Sequence, residues 1–408
     1  MEPLNLFAPE ALADPFPAYR RAHAEGPVHV VPGAGTLIVV SHALVSEVTG
    51  RIDDFSNDFA ALLQGQRATD PEVAAILDTG WPQVNTLLTA DPPVHTRFRK
   101  LVSLAFSMKR VDAIEGHIRN IVTGLIDQFA PSGSCEFVAD FAVPLPVQLI
   151  TEQIGIDRTE FATVKRWSDA FADRLGGVAT RERELQCARE GVDFQHAMKE
   201  RIEDRRRAPR EDLLSNLVNA RVEDERPLDD AELMSILQQI MVAGNETTTS
   251  LLTGGMVQLI RNPDEQAKVR ADPSLIRNMV EEMLRTESPA AGLWRIAARD
   301  TELAQMPVKA GTLLMLRFAA ANRDPAQFPD PDRFDVTRAN ARTHLAFGRG
   351  IHMCVGNLLS RKETAVAFDI LLNRLDELAI PDDAELHGHP SLLLRGLTAL
   401  PLTFTERR

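Results

Sequence analysis

The sequence predicts a mainly α-helical fold with a minor β-sheet region and one long central helix. Apolar residues recur at spacings of three and four through most of the chain, as in an amphipathic helix. One such stretch covers residues 228–260, longer than a surface helix of a small domain needs, and Asn262-Pro263 ends it. Short β-rich runs lie near the N-terminus and after Glu287, so the sheet is expected to be minor.

The other elements follow from local patterns. The runs PVHVV and TLIVV, separated by the turn residues of PGAG, predict a small hairpin. Residues 55–90 predict loops with short helical pieces. A last helix is expected over about 354–375, followed by strand and loop in the tail. Further helices are predicted within 101–106, 114–129, 161–175 and 188–205. No internal repeat or low-complexity linker divides the sequence, so we expect a single domain over residues 1–408.

Composition narrows the class of protein. The chain has 408 residues, of which 44% are hydrophobic and 25% charged, which is typical of a globular protein. Its formal net charge of −13 argues against nucleic acid as the main partner, because phosphate binding needs a basic face. The sequence contains neither a signal-peptide pattern nor an apolar run long enough to span a membrane. We therefore expect a cytoplasmic protein with no membrane partner.

Three cysteines, at 135, 187 and 354, lie far apart without a CxxC, which favours a reducing compartment over a disulfide framework. Cys354 differs from the other two because it lies in FGRGIHMCVG, residues 347–356, where loop meets predicted helix. A helix N-terminus favours the thiolate, and Gly348 and Gly350 let the backbone turn sharply and approach a flat ligand. A buried structural cysteine is the simpler alternative. Zinc would require further ligands in paired spacings, and covalent haem attachment would require CxxCH.

The long predicted helix contains a second unusual stretch, MVAGNETTTS. Gly244 and three consecutive threonines are poor residues for a helix interior, where glycine alone costs about 1 kcal/mol relative to alanine. Such a local exception often marks a functional site. The alternative is a packing notch, in which small residues let another helix approach.

The cysteine loop resembles the haem-binding loop of the cytochromes P450, whose pattern is FGxGxHxCxG. The resemblance implies that Cys354 is the axial thiolate, and therefore the metal ligand, of haem b. It extends over nearly the whole chain and implies the cytochrome P450 fold. The fit is weakest over residues 55–88 and 161–185, where the family varies with substrate.

Three more motifs match the family. Glu282-Met-Leu-Arg285 resembles its ExxR pair, and PDPDRF suggests Arg333 as the third, structural member. ADPPVHTRFRKLV resembles the start of the proximal helix, where His95 and Arg99 would donate to the haem propionates; Arg295 resembles a further propionate donor. The resemblance implies this full set of haem-binding residues: Cys354, His95, Arg99, Arg295, His352, Phe347, Gly348, Gly356, Ala243 and Gly244.

The stretch from Ala243 to Thr248 resembles the oxygen-binding groove of the family. The resemblance implies that Thr247 and Glu246 are catalytic, with Thr247 holding water and Glu246 helping to relay protons during oxygen activation. A haem-thiolate sensor would not need this pair, and a peroxygenase often lacks it. Both alternatives are therefore disfavoured, as is a purely structural helical protein.

The resemblance implies a monooxygenase that inserts one atom of O2 into a hydrophobic small molecule such as a terpenoid, a steroid or an aromatic compound. The chain has no flavin or NAD fingerprint, so a separate ferredoxin-type partner would supply the electrons, and the expected state is a monomer. A basic docking face is predicted from Arg97, Lys100, Lys109, Arg110, Arg349 and Arg361. The candidate substrate residues are Leu87, Leu88, Val242, Leu293, Trp294 and Leu393, although ordinary core packing is the alternative for each.

Overall fold

The structure is a computed structural model that describes residues 6, 8–31, 33–59, 70–176, 180–388 and 391–407. The Cα positions group the chain into two compact units. The first consists of Met1–Ser56, Ala113–Pro146 and Glu246–Arg408, and the second of Asn57–Asp112 and Val147–Asn245. The sequence prediction of a single domain stays a prediction.

All strands of the described residues lie in the first unit. A five-stranded sheet has the order β1-β2-β8-β5-β3, a three-stranded sheet the order β4-β10-β9, and β6 pairs with β7. β1 and β2 form the predicted antiparallel hairpin, with Val28 opposite Val39. The strands are β1 Val28–Val30, β2 Leu37–Val39, β3 Phe55–Ser56, β4 Ser134–Glu136, β5 Leu293–Ala297, β6 Thr301–Leu303, β7 Met306–Val308, β8 Leu313–Leu316, β9 Leu375–Ala379 and β10 Pro401–Glu406.

The five-stranded sheet carries apolar side chains on both faces. Leu314 and Leu316 of β8 join one buried cluster, while Met315 between them joins another. This alternation follows from the two-residue period of a strand. Burial on both faces explains why TLIVV is continuously apolar rather than alternating.

Helices supply most of the remaining structure, which confirms the predicted fold class. The first unit contains Pro9–Ala13, Phe16–Glu25, His42–Gly50, Glu115–Phe129, Pro263–Ala271, Ile276–Glu287, Phe318–Ala321 and Asn357–Arg374. The second contains Pro71–Leu77, Val94–Ser103, Met108–Ala113, Phe161–Gly176, Arg181–Arg207 and Leu213–Val218. Pro144–Gln153 and Asp230–Arg261 run across the division between the units. Within the described residues, no helix combines the length and the apolar character needed to cross a membrane.

The long helix, Asp230–Arg261, confirms the longest predicted element. Asp229 caps it, because its carboxylate accepts the Glu232 N–H at 3.0 Å and the Glu232 carboxylate accepts the Asp229 N–H at 3.0 Å. This reciprocal pair satisfies two backbone donors at the helix start. Pro263 opens the next helix, as expected for a residue that cannot continue the previous one.

Two predicted helices have different bounds. The helix expected over 101–106 ends at Ser103, because its apolar residues continue into a turn rather than a further helical repeat. The helix expected over 188–205 begins earlier, at Arg181, where Thr180 caps it through the Arg183 N–H. Sequence patterns locate helix ends less well than helix interiors, because an end depends on one or two local bonds.

In the second unit, three side chains hold the loop that follows the helix Pro71–Leu77. Gln195 bonds both backbone groups of Trp81, at 2.8 and 3.0 Å. Ser235 accepts the Val84 N–H at 2.9 Å, and the Gln239 amide donates to the Thr86 hydroxyl at 2.7 Å. These bonds give the loop-rich segment a fixed path, although residues 60–69 of that segment lie outside the described residues.

Glu363 is a buried acid in the helix Asn357–Arg374, here called the C-terminal helix. The side chain is buried, and its Oε1 accepts no hydrogen bond from the part of the chain that the structure describes. Burial raises the pKa of Glu363 to about 8, because desolvation disfavours the charged form. Glu363 is therefore a neutral carboxylic acid at pH 7.

Candidate active site

The cysteine loop, residues 347–356, lies in the first unit and requires two of its glycines. Gly348 and Gly350 have φ values of +66° and +74°, in the left-handed region that other residues rarely adopt. A Cβ on Gly350 would also lie 2.7 Å from the Thr49 carbonyl oxygen. The glycine spacing therefore reflects both backbone conformation and a close approach of two chain segments.

Cys354 lies three residues before the C-terminal helix, which begins at Asn357 rather than near Cys354 as predicted. Its N–H donates to the Phe347 carbonyl at 2.8 Å, so the loop closes on itself before the helix starts. The side chain of Cys354 is exposed. A Cβ on Gly356, the residue before the helix, would be 4.0 Å from the Cys354 sulfur, so that side of the sulfur is uncrowded.

The other two cysteines have different surroundings. Cys187 is buried and Cys135 is half-buried. Burial raises the pKa of the Cys135 thiol to about 12, with Asp140 and Glu136 adding to the effect, and burial also raises the pKa of Cys187. Both stay protonated thiols at neutral pH. Among the three, only Cys354 presents its sulfur to the exterior of its unit.

The long helix has an open face at Ala243 and Gly244. Ala243 is exposed, and a Cβ on Gly244 would meet no atom within 4 Å. By contrast, a Cβ on Gly254 would lie 2.5 Å from the Glu287 carboxylate, and one on Gly255 would lie 2.7 Å from the Met283 sulfur. The packing notch weighed for Gly244 thus exists about three turns later in the same helix, and the space beside Gly244 itself is open.

Glu246 and Thr247 are half-buried and follow Ala243 by three and four residues, so they extend the same helix face by one turn. Two later hydroxyls of the run have partners inside the fold. Thr249 donates to the Ala142 carbonyl at 3.0 Å, and Ser250 donates back to the Glu246 carbonyl at 2.7 Å. These bonds give Thr249 and Ser250 structural roles.

Glu282 and Arg285 form a fully buried ion pair, as the ExxR resemblance predicts. Both side chains are 0% exposed, and two parallel bonds of 2.8 Å join them. Arg285 also donates to the carbonyls of Asn322 and Pro331, at 2.9 and 2.7 Å. The pair thus ties its helix to the loops before the cysteine segment.

The prediction of Arg333 as the third member of this network is wrong. The Arg333 side chain is 59% exposed, and only its backbone carbonyl takes part, as an acceptor for Arg285. Arg338 fills the role instead: it is buried and donates to Glu282 at 3.0 Å. Arg338 also donates to the carbonyls of Pro329 and Asp330, at 2.7 and 3.1 Å, beside the turn at Asp330, where φ is +48°.

His95 and Arg99 lie in the second unit, on the helix Val94–Ser103. Four residues apart, they share a helix face. His95 is buried and Arg99 half-buried. Burial lowers the pKa of His95, the Arg99 guanidinium lowers it further, and Asp91 acts in the opposite direction. His95 is therefore a neutral donor beside a permanent cation.

Arg295 and His352 lie in the first unit. Arg295 is buried on β5, opposite Leu314 of β8, and its guanidinium donates to the Trp294 carbonyl at 2.7 Å. His352 is half-buried at the end of a single 3-10 turn, Gly350–His352, two residues before Cys354. A 3-10 turn is usually no longer than about three or four residues, and this one ends at His352. Only Met353 therefore separates His352 from Cys354 along the chain.

The candidate substrate residues divide between several places. In the first unit, half-buried Trp294 and Leu393 pack against the same apolar cluster, which contains Met315, whereas Leu293 packs against the cluster on the opposite face. In the second unit, Leu87 and Leu88 are half-buried, and Val242 is buried. The Thr86–Gln239 bond holds the loop of the two leucines one turn before Val242.

Two cations of the predicted docking face, Arg97 and Arg361, form ion pairs with carboxylates of the chain. Arg97 is 14% exposed and donates to Glu232 at 2.8 Å, so it is an internal ion pair of the second unit. Arg361 donates to Glu281 at 2.7 Å. Lys109 and Arg110 are exposed as predicted, beside the exposed apolar side chains of Leu104 and Met108.

The sequence reasoning missed four residues that surround the cysteine loop: Glu281, Arg338, His344 and Asn357. Glu281 precedes the recognised Glu282, and an adjacent pair of acids on one helix was a signal that both could be used. Asn357 bonds Cys354 directly, because its amide nitrogen donates to the Cys354 carbonyl at 2.7 Å. No spacing rule identifies such a contact in advance.

With this geometry in hand, comparison with known proteins shows that the chain belongs to the cytochrome P450 family. The family profile described as Cytochrome P450 matches residues 180–397. The chain is 35% identical to Cytochrome P450 monooxygenase PikC of Streptomyces venezuelae, over 99% of this chain and 94% of that protein. It is 37% identical to a Steroid C26-monooxygenase of Mycobacterium tuberculosis, over 79% of this chain and 81% of that protein.

Solved structures agree. The structure of cytochrome P450 CYP109Q5 from Chondromyces apiculatus is similar to this chain with a TM-score of 0.86 and 34% identity, over 98% of each chain. The fold is therefore the cytochrome P450 fold. The protein is a monooxygenase of this family, an oxidoreductase whose cofactor is haem b.

The residues present fit a haem. The donor set is that of a haem-thiolate protein: an exposed cysteine on a glycine turn, with a buried arginine and a half-buried histidine in the same unit. Among the described residues of the first unit, a Cβ on Gly356 would have only the Cys354 sulfur at 4.0 Å as a neighbour, so a flat macrocycle can approach this side of the loop. Zinc is not supported, since no group of three or more potential ligands occurs in the described residues.

Proposed function

We propose that this chain is a haem-thiolate monooxygenase for a hydrophobic, steroid- or terpenoid-like substrate, with Cys354 as the metal ligand. The observation that carries the proposal is the exposed Cys354 thiol, held by the strained turn of Gly348 and Gly350. Cys135 and Cys187 are unsuitable, because their pKa values are raised. The bound cofactor supplies the oxygen-activating chemistry.

In this proposal, the chain's own residues bind the haem and orient water. His95, Arg99, Arg295 and His352 donate to the haem carboxylates, which need several partners because buried unpaired charge is costly. Phe347, Gly348 and Gly356 shape the loop around the sulfur, and Ala243 with Gly244 provides the open face of the long helix. Thr247 orients water, and Glu246 holds the proton that the reaction consumes.

The test is the absorption spectrum of the reduced, purified protein with carbon monoxide. A Soret band at the thiolate-ligated position supports the proposal. A band at the histidine-ligated position, or a protein that binds no haem, would overturn the assignment of Cys354.

The proposed substrate class rests on the apolar candidate residues. Trp294 and Leu393 present half-buried surface on one cluster, and Leu87 and Leu88 do so in the second unit. One relative of this chain is named a Steroid C26-monooxygenase, which supports a steroid-like substrate. Spin-state titration with steroids, terpenoids and simple aromatics tests the class, and Trp294→Ala should weaken the binding of the ligand that responds.

Thr247→Ala is expected to lower the ratio of product formed to O2 consumed by roughly ten- to a hundredfold, because the hydroxyl that positions a proton donor is lost. Oxygen uptake and product are measured together. The matched control is Thr249→Ala, two residues later, whose hydroxyl donates to the Ala142 carbonyl. That control should lower stability and leave the ratio unchanged; equal ratios in the two variants would contradict the role of Thr247.

We also propose an acidic ferredoxin as the electron donor of a monomeric enzyme. In the second unit, exposed Lys109 and Arg110 directly follow the exposed apolar side chain of Met108, and Lys100 is 53% exposed and lies 3.6 Å from Glu225. Exposed cations next to an exposed apolar side chain suit an acidic partner, since charge complementarity raises the association rate.

Lys109→Glu with Arg110→Glu is expected to slow reduction by an acidic [2Fe–2S] ferredoxin about tenfold or more at low salt, because steering is lost. Stopped-flow mixing measures the rate. Arg189→Glu with Arg207→Glu makes the same change of charge on exposed cations elsewhere in the second unit. If both double variants slow reduction equally, the effect reflects net charge and the docking proposal fails.

A further inference from the structure

Both peptide groups of Cys354 are held by hydrogen bonds within the first unit. Its N–H donates to Phe347, and its carbonyl accepts from the Asn357 amide nitrogen at 2.7 Å. The other amide atom of Asn357, Oδ1, accepts from Arg361 Nη1 at 2.8 Å. Because a guanidinium can only donate, this contact fixes the orientation of the Asn357 amide and directs its nitrogen at Cys354.

Arg361 connects this amide to a buried carboxylate. Its Nε and Nη2 donate to the two oxygens of Glu281, at 2.7 and 3.1 Å, in the paired geometry that only arginine provides. The guanidinium carbon also lies 4.5 Å from the centroid of the Phe347 ring. Arg361 therefore contacts both residues that bond the peptide groups of Cys354.

Glu281 is anchored from a second direction by His344. The imidazole Nδ1 accepts the Ala346 N–H at 3.1 Å, so the proton lies on Nε2, which donates to Glu281 at 3.0 Å. Burial alone would raise the pKa of Glu281, but the bonds from His344 and Arg361 bring it down to about 2. The carboxylate is therefore charged at any pH at which the enzyme works.

We propose that Glu281, Arg361 and Asn357 are positioning residues that fix the main chain of Cys354 and thereby the direction of its sulfur. The inference rests on the proposed function of Cys354 as the metal ligand. The Glu281 carboxylate fixes the position of the Arg361 guanidinium, and the guanidinium fixes the orientation of the Asn357 amide. The amide in turn fixes the position of the Cys354 carbonyl. Outer partners of this kind orient a ligand without touching the metal.

The test uses the haem-loaded enzyme and the variants Asn357→Ala, Arg361→Lys and Glu281→Gln. The lysine keeps the charge but cannot contact Glu281 and Asn357 with one planar group. Each variant is expected to lose the thiolate-type Soret band of the reduced carbon monoxide complex about fivefold faster than the parent, which is the factor for about 1 kcal/mol. Hydrogen exchange at the Cys354 amide should also become faster, with haem content unchanged. The melting temperature should be unchanged in Asn357→Ala and lower in the two variants that alter the buried Glu281–Arg361 pair.

Glu115→Gln is the matched control. Glu115 accepts a bond of 2.6 Å from Lys362, the residue after Arg361 on the same helix, and a bond of 3.3 Å from Arg119 on its own helix. Glu115→Gln should leave the rate of Soret-band loss and the rate of hydrogen exchange at Cys354 at the parent's values. If the three variants behave like this control, the inference is overturned while the role of Cys354 stands. If the parent itself shows no thiolate-type band, the proposed function fails first. If Glu281→Gln does not fold, two variants still test the inference. These are Asn357→Ala, which changes a half-buried residue, and Arg361→Lys, which keeps the charge.

Discussion

Cys354→Ala is expected to abolish the thiolate-type Soret band of the reduced carbon monoxide complex and to reduce monooxygenation below detection. Thiolate ligation favours O–O cleavage through electron donation, and alanine has no donor atom. The fold should persist, because Cys354 is exposed and its side chain adds little to the core. Circular dichroism, haem content and the spectrum measured on one sample separate loss of ligation from loss of structure.

Cys135→Ala is the control for this prediction. Cys135 lies on β4 in the same unit, and the pKa of its thiol is raised to about 12, so it is not a thiolate at neutral pH. The control should keep the band and the activity. If Cys354→Ala also kept the band, another residue would have to be the ligand, and the proposed function would be wrong.

Glu282→Gln is expected to lower the free energy of unfolding by about 3–5 kcal/mol, the range measured when one partner of a buried ion pair is removed. Glu282 accepts bonds from both Arg285 and Arg338, so its neutralisation leaves two buried guanidinium groups without their shared anion. Urea unfolding measures the change. The cysteine loop should loosen as well, because Arg285 also holds the carbonyls of Asn322 and Pro331.

The control for this stability effect is Asp300→Asn, which breaks the pair between Asp300 and Lys309. These side chains are 64% and 78% exposed, and solvent screens the attraction between them, so the variant should change the free energy of unfolding little. If Glu282→Gln lowers the free energy of unfolding no more than Asp300→Asn does, then burial does not increase the cost of removing the charge. Arg333→Ala should also have a small effect, since that side chain is exposed.

The sequence predicted the fold best where a pattern repeats. The period of the long helix and its end at Asn262-Pro263 were both readable, because each follows from local chemistry. The start of the C-terminal helix was not. Its first residues are drawn into the loop by the bond between Cys354 and Phe347, a closure that involves residues seven positions apart and has no periodic signal.

The candidate site was predictable to the extent that its residues lie in motifs. Cys354, Gly348 and Gly350 were identified from spacing, and the left-handed φ values of the glycines explain that spacing. Arg338 was missed and Arg333 chosen because these two loop arginines, five residues apart, are equivalent in sequence. Burial distinguishes them, since Arg333 is exposed and Arg338 is buried against Glu282. A loop path is a tertiary property, so the sequence alone could not reveal it.

Folding changes the protonation of two buried acids in opposite directions: Glu363 takes up a proton from solvent, and Glu281 releases one. Glu363 has a pKa of about 8 in the fold and an ordinary value of 4.5, so folding takes up a proton between these two pH values. Its contribution to stability is fully present below pH 4.5 and is lost as the pH rises through about 8. For Glu281 the pKa falls from 4.5 to about 2, so its contribution is present above pH 4.5 and is lost as the pH falls through about 2. Together the two buried acids place the most stable folded state near pH 4.5, in mildly acidic solution.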